Sequence, residues 1–324
     1  MTAAVQPAKL LAELDDLWRS LGNDQEGGVL RACAMTLIVC AQGDDDQCDE
    51  TLAQLMREYP ARTIVLRQRS GLAPALSAGV RAQCWKPFGS HQQICCEIIE
   101  ITASRVSLVG AQPVVGALTA PDLPVVIWCR APEIVTLSDF QPILRLAGKL
   151  ILDTAGASNL AAQLRYIRAA EQAGAIVADL AWTRLTNWRS AVAAFFDNPA
   201  NLEQISRING VQVRYQGAYT PLSAYYMVGW LRHALGRPVA YELVRAPEAC
   251  PLPRVEMVSL QAPGWHVSLQ VGQDRAAHVD SFVQDSHAIL PLRSDYDLMR
   301  EELSILAVDP VYRAALAIAE QLIP

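Results

Sequence analysis

A chain of 324 residues with 52% hydrophobic and 19% charged side chains carries enough apolar surface to offset the ordering entropy that keeps polar chains unfolded. Its length fits one large or two ordinary domains and allows roughly three quarters of the unfolded surface to be buried. The formal net charge of −6 argues against nucleic-acid partners, because neutralising phosphates needs a basic face. No apolar run reaches the roughly 18 residues of a membrane span. The opening MTAAVQPAKLLAELDDLWRS, with Glu13, Asp15 and Asp16, does not read as a signal peptide. A soluble, cytoplasmic protein is expected.

A first helix is expected near 8–21, where Leu10, Leu11, Leu14, Leu17, Trp18 and Leu21 fall on one stripe. AMTLIVCA (34–41) is a continuous apolar run of buried-strand type. The acidic segment Asp44 to Glu50 suits a helix N-terminus, where the dipole favours anions, and that helix ends at Pro60. ARTIVLRQ (61–68) then completes a β-α-β opening. VRAQCWKP (80–87) and QQICCEIIEI (92–101) flank Gly89 as an antiparallel pair. Helix to about 119, strand 123–129, strand 149–154, helix 157–173 and strand 175–180 continue the alternation.

Beyond 180 the texture changes. Trp188, Ala191, Val192, Phe195 and Phe196 lie on one helix face, and VQVRYQG (211–217) reads as a strand. Helix 222–236 ends at Gly236 and Pro238. Strands from YELVRA, RVEMVSL, WHVSLQV and AAHVDSFV follow as a meander. With Trp265, Val267, Leu269, Val271, Val279 and Val283 inward, Ser268, Gln270, His278 and Asp280 share the opposite face. Two helices, about 294–306 and 310–322, close the chain. The expected fold is an α/β domain over 1–180 with a mostly parallel central sheet, then a smaller α+β domain over 181–324 with an antiparallel sheet.

The eight cysteines sit mostly in apolar stretches, and no C-x-x-C pair occurs, which disfavours zinc ribbons and thioredoxin-type chemistry. All eight are expected to be reduced, small and structural. Neither G-x-G-x-x-G nor G-x-x-x-x-G-K-[ST] is found, and G-x-S-x-G and H-E-x-x-H are likewise missing. No catalytic, cofactor-binding or metal-binding residue is therefore assigned. Three weaker constellations stand out. His278 and Asp280 beside His266 could form an acid/base or metal cluster, but such groups are common on a strand's solvent side. Cys95-Cys96 beside Glu97 reads as structural thiols, with at most one accessible by strand alternation. DLAWTRLTNWRS, Asp179 to Ser190, combines Trp182, Arg184, Trp188 and Arg189 as partner anchors or as a domain-junction helix.

Several segments taken in order resemble the glucose-6-phosphate dehydrogenase assembly protein (OpcA) family. They are YPARTIVL (59–66), CCEIIEI (95–101), DLPVVIWCR (122–130), LAGKLILDT (146–154), DLAWTRLTNWRSAVAAFFD (179–197) and VGWLRHALG (228–236). The chain departs from the family pattern at Tyr59 and Ala61, where H-P-S-R is usual, and at Cys129, where a tryptophan is usual. The resemblance implies a non-catalytic protein without cofactor that binds glucose-6-phosphate dehydrogenase and promotes its active oligomer in the oxidative pentose phosphate pathway. A second reading from the residues is an enzyme or sensor for a small phosphorylated ligand at the carboxyl ends of the parallel strands, with Arg62, Arg130 and Arg184 as phosphate ligands. A homo-oligomeric scaffold is a third.

Overall fold

In the computed structural model, residues 5–23, 28–43, 45–69, 76–89, 91–104, 108–247, 254–271, 276–281, 286–289 and 293–324 are described. They divide into two units. The first holds Met1–Asp153, Arg165–Ala178 and Asp295–Leu306; the second holds Thr154–Leu164, Asp179–Ser294 and Ala307–Pro324. The elements run α1 (Pro7–Asn23), β1 (Val29–Arg31), β2 (Met35–Gln42), α2 (Asp46–Glu58), β3 (Ala61–Gln68), β4 (Leu76–Trp85), β5 (Gln93–Ala103), α3 (Leu108–Leu118), β6 (Val125–Cys129), α4 (Gln141–Leu144), β7 (Lys149–Leu152), α5 (Leu160–Gln172) and β8 (Ile176–Asp179). There follow α6 (Leu180–Thr183), α7 (Thr186–Phe195), α8 (Pro199–Leu202), β9 (Gly210–Gln216), α9 (Leu222–Leu235), β10 (Ala240–Arg245), β11 (Arg254–Ala262), β12 (Trp265–Val271), β13 (Ala276–Ser281), β14 (Ser286–Ile289), α10 (Asp295–Ser304) and α11 (Pro310–Leu322).

The first unit is built on an eight-stranded, mostly parallel sheet in which β5, β3, β2, β6, β7 and β8 lie side by side. Strands β3 and β6 flank β2 in parallel, and β5 and β7 extend the parallel run outward. The apolar content of β2 explains its central place, since Leu37, Ile38, Val39, Cys40 and Ala41 are buried in succession. With β2 as first strand the order is 3-2-1-4-5-6, the doubly wound arrangement whose switch point lies between β2 and β6. Strand β4 pairs antiparallel with β5, as the sequence indicates, while the three-residue β1 adds to Gln93–Cys95.

Helix α2 starts where the carboxylates predict: Asp45 caps it, its side chain accepting from the Cys48 amide at 3.0 Å. Helix α10 packs against α2 through Arg300 and Tyr296, which donate to Glu58, and through Tyr59, which donates to the Arg300 carbonyl. Buried Lys149, at the start of β7, donates to the Glu302 carbonyl, the Glu302 carboxylate and the Ile305 carbonyl. These bonds satisfy carbonyls at the α10 C-terminus with a cation, as the helix dipole favours. The first unit therefore reaches past residue 180 to claim α10, where the sequence reading places a single boundary.

In the second unit a six-stranded sheet runs β10-β9-β11-β12-β13-β14. It is mixed, correcting the antiparallel expectation: β10 pairs parallel with β9, and the other pairs are antiparallel. The cause is the β9-α9-β10 connection, a helical crossover that returns the chain in the same direction. Ser268 stands opposite Asp280 and Gln270 opposite His278, so the backbone register matches the expected polar face. The side chains of His278 and Asp280 and the position of Val283 lie outside the described residues. The inward face carries Val211, Val213, Val258, Leu260, Val267 and Leu269. Helix α7 covers part of it, with Trp188 and Val192 buried and Phe195 and Phe196 against Trp265. Helices α9 and α11 pack at short range where Gly229 faces the Ala315 carbonyl. Among the described residues, no helix is long and apolar enough to cross a membrane.

Candidate functional site

An open doubly wound sheet offers its ligand crevice at the carboxyl ends of its strands, beside the switch point. Here β2 and β6 end at Gln42 and Cys129, and Gly43-Asp44-Asp45 follows β2 in the sequence. Arg130 follows β6. Its guanidinium lies 4.9 Å from the Trp128 ring centroid, bonds Asp45 at 2.6 Å through Nε, and bonds Asp295 through Nη1. Burial alone would lower the Arg130 pKa, but the hydrogen bond to Asp295 and the charges of Asp295 and Asp45 raise it above the usual value. Nearby, buried Arg67 donates to Asp49 at 2.6 Å, and Arg81 donates to Glu100 at 3.0 Å. The Cys48 thiol is pushed up to about 12, chiefly by burial and against the opposing charge of Arg130. The arginines and carboxylates named here thus pair with one another.

The structure does not bring together the three arginines expected to hold phosphate. Arg62 is the second residue of β3, at the amino end of the sheet, where it donates to Glu97 and, at 2.9 Å, to the Leu118 carbonyl. Arg130 lies at the carboxyl end, and Arg184 belongs to the other unit, following α6. What the sequence reading misses is the depth of Glu97. Its carboxylate is 2% exposed and accepts from Trp18 at 3.0 Å and Arg31 at 2.7 Å as well as from Arg62. A charged residue amid the run CCEIIEI is the one signal that could have pointed to it, because a buried carboxylate requires partners.

The cysteine expectation is corrected. Cys84 and Cys95 stand directly opposite in the β4–β5 ladder and form a disulfide. Spacing alone conceals this pairing, which depends on the register across the intervening turn. Cys96 and Cys95 are both fully buried, so neither is the accessible member that strand alternation permits. The Cys96 thiol is raised to about 11 by burial. Cys33, Cys40, Cys48, Cys96 and Cys129 are free, and Cys250 lies outside the described residues.

In the second unit the segment Asp179–Arg189 faces inward for the most part. Asp179, fully buried, caps α6: Oδ1 accepts from the Ala181 amide at 3.0 Å and the Thr154 amide at 3.1 Å. Oδ2 accepts from the Thr154 hydroxyl at 2.7 Å and the Tyr226 hydroxyl at 2.9 Å. Burial, reinforced by the Asp179 charge, holds the Tyr226 pKa well above its usual value. Trp182 is buried against Tyr226 and Tyr312, and its indole donates to Asp309 at 3.1 Å. Trp188 is also buried. Arg184 and Arg189 remain half-buried; the Arg189 guanidinium lies 3.5 Å from the Trp182 ring centroid and donates to Thr186. His266 is exposed. Among the described residues, no group of three or more His, Cys, Asp or Glu side chains is placed to hold a metal ion.

Comparison with known proteins places these features in context. Residues 53–169 match the family model described as glucose-6-phosphate dehydrogenase subunit N-terminal domain, and residues 175–316 match the corresponding C-terminal domain. Curated relatives carrying the provisional name OxPP cycle protein OpcA occur in Nostoc punctiforme and Synechocystis sp. The first is 27% identical over 185 residues, covering 56% of this chain and 40% of the relative. The second is 27% identical over 186 residues, covering 56% and 38%. The matched region therefore spans well under half of each relative. Among solved structures, similar chain traces include the 3-ketoreductase KijD10 of Actinomadura kijaniata (TM-score 0.48, 10% identity, covering 88% of this chain and 95% of that one). Another is biliverdin reductase of Synechocystis sp. PCC 6803 (TM-score 0.47, 10% identity, covering 89% and 96%). Through its paired N- and C-terminal domain matches, the chain belongs to the OpcA family of glucose-6-phosphate dehydrogenase subunits.

Proposed function

We propose that this protein is a non-catalytic, cytoplasmic subunit that binds glucose-6-phosphate dehydrogenase and promotes its active oligomer. The observation that carries the reading is the ordered match of both subunit domains over residues 53–169 and 175–316. The geometry supports it in a second way. At the switch point, Arg130, the arginine placed there to meet a phosphate, is engaged by Asp45 and Asp295. In the second unit, buried Asp179 is enclosed by the groups it holds.

Purified chain added in increasing amounts to purified dehydrogenase should raise its activity and shift its sedimentation toward a larger complex. The chain alone should neither oxidise glucose 6-phosphate nor reduce NADP. Turnover by the isolated chain, retained after contaminating dehydrogenase is removed, would overturn the non-catalytic reading. An unaltered sedimentation profile would overturn the assembly reading.

A further inference from the structure

We infer that the tip of the β4–β5 hairpin is the anchor by which this chain docks on the dehydrogenase. The partner's identity rests on the function proposed above; the choice of surface rests on the following geometry. Leu30 pairs with Ile94, and Ile94 pairs with Trp85, so these three apolar side chains form one row on one face of the sheet. Leu30 is 51% exposed, and Ile94 and Trp85 are half-buried. Three residues beyond Trp85, Phe88 is fully exposed at a turn closed by Gly89, whose φ of 75° suits a residue without a Cβ. A single exposed apolar residue is ordinary, whereas exposed Leu30 and Phe88 at the same end of the hairpin, with half-buried Ile94 and Trp85 between them in sequence and register, are what a contact surface would use.

The hairpin is also stiffened and charged for docking. The register pair immediately behind the row is Cys84–Cys95, whose disulfide ties the two strands together. An anchor held this way loses little conformational freedom on association. From Arg69 to Cys96 the sequence contains no Asp or Glu, although the chain as a whole carries −6. Lys86, one of the chain's three lysines, is exposed two residues before Phe88, and exposed His91 follows the turn. A two-fold contact between copies would bring together two patches that both carry Lys86 and lack carboxylates. The occupant that fits is therefore a different protein, with an apolar pocket for Phe88 rimmed by carboxylates. Aromatic side chains are enriched at the centres of protein interfaces, and a rim charge beside one sets orientation and salt dependence.

The test uses full-length chain and purified dehydrogenase, with affinity measured for wild type, Phe88→Ala, Phe88→Asp and Lys86→Glu. Because both side chains are exposed, melting temperatures should stay at the wild-type value. Phe88→Asp should weaken binding tenfold or more, Phe88→Ala should follow in the same direction, and Lys86→Glu should flatten the salt dependence. If wild type binds and Phe88→Asp binds within tenfold of it, the hairpin is not the anchor, while the proposed function stands. If wild type does not bind at all, the proposed function fails and the partner named here fails with it. Self-association of wild type that Phe88→Asp abolishes would assign the surface to a second copy and overturn the inference.

Discussion

Gly229 offers a test of the second unit in which two known effects compete. A Cβ at this position would overlap the Ala315 carbonyl oxygen and lie 3.2 Å from its carbonyl carbon and 3.4 Å from its Cα. Ordinary carbon–carbon contacts settle near 3.5–4.0 Å, so α9 and α11 would have to part by roughly half an ångström or more. The obstacle is helix backbone and cannot rotate away. Overpacking of this kind costs about 3 kcal/mol at the upper end of its range. Replacing glycine by alanine inside a helix returns about 1 kcal/mol. The net expectation for Gly229→Ala is a loss of about 2 kcal/mol, or roughly 4–8 °C in Tm for a unit of this size. The displacement should also loosen the Tyr226–Tyr312 contact, which lies one turn earlier on each helix. Gly116, exposed in α3, is the control, since nothing lies within 4 Å of its added Cβ. There the propensity gain acts alone, and Gly116→Ala should stabilise by about 0.5–1 kcal/mol. Thermal melts and urea titrations of both variants decide the matter. A Gly229→Ala protein at or above wild-type stability would refute the close helix approach.

Without reductant, the intact protein should be two hydrogens lighter than its reduced form, and Cys84→Ser with Cys95→Ser should cost up to about 3 kcal/mol in stability; a full set of reactive thiols after denaturation without reductant would contradict this. Arg189→Ala removes the cation stacked on Trp182 and should cost about 1 kcal/mol, read as a Tm lower by a few degrees. Combined with Arg184→Ala it should also weaken dehydrogenase activation beyond what the lost stability explains, and an unchanged titration would remove this segment from the interface. The buried thiols Cys48 and Cys96 have folded-state values of about 12 and about 11, above the value of 9.0 for a free thiol. They therefore contribute stability that is fully present below pH 9 and is lost as pH rises toward 11–12. Cys48→Ala should flatten that decline in alkaline melts, and an equally steep curve would assign the loss to other groups.

The parts of the fold legible in the sequence are those set by local pattern. The run around Ile38 and Val39 declares a buried parallel strand, Asp45 a helix start, and Gly236, at φ 65°, a helix stop. Long-range partners were not legible. Trp182 and Arg189 have the composition of an interface hot spot, and nothing local shows that Tyr226 and Tyr312 arrive from distant helices to bury the indole. The three residues of β1 are too few to show a period. Strand β10 shows no feature of its own that marks a direction, so its parallel pairing could be read only from the helix that precedes it. Glu97 follows the same logic: its partners Trp18, Arg31 and Arg62 come from three separate elements.

At the switch point of the doubly wound sheet, described side chains pair with one another. Phosphate binding at such a site depends on backbone amides and helix dipole left free at the first turn. Here a side chain of the chain itself takes that place: Asp45 caps α2, accepting from the Cys48 amide, and the same carboxylate accepts from Arg130. Arg130 is in turn bound by Asp295, the first residue of α10. A phosphate bound there would compete with Asp45 and Asp295 for the arginine, whose partly buried ion pairs it would have to break. Fold alone does not carry function. In this chain the strand order supplies a scaffold, Arg130 is held by Asp45 and Asp295, and Phe88 and Lys86 stand exposed at the surface.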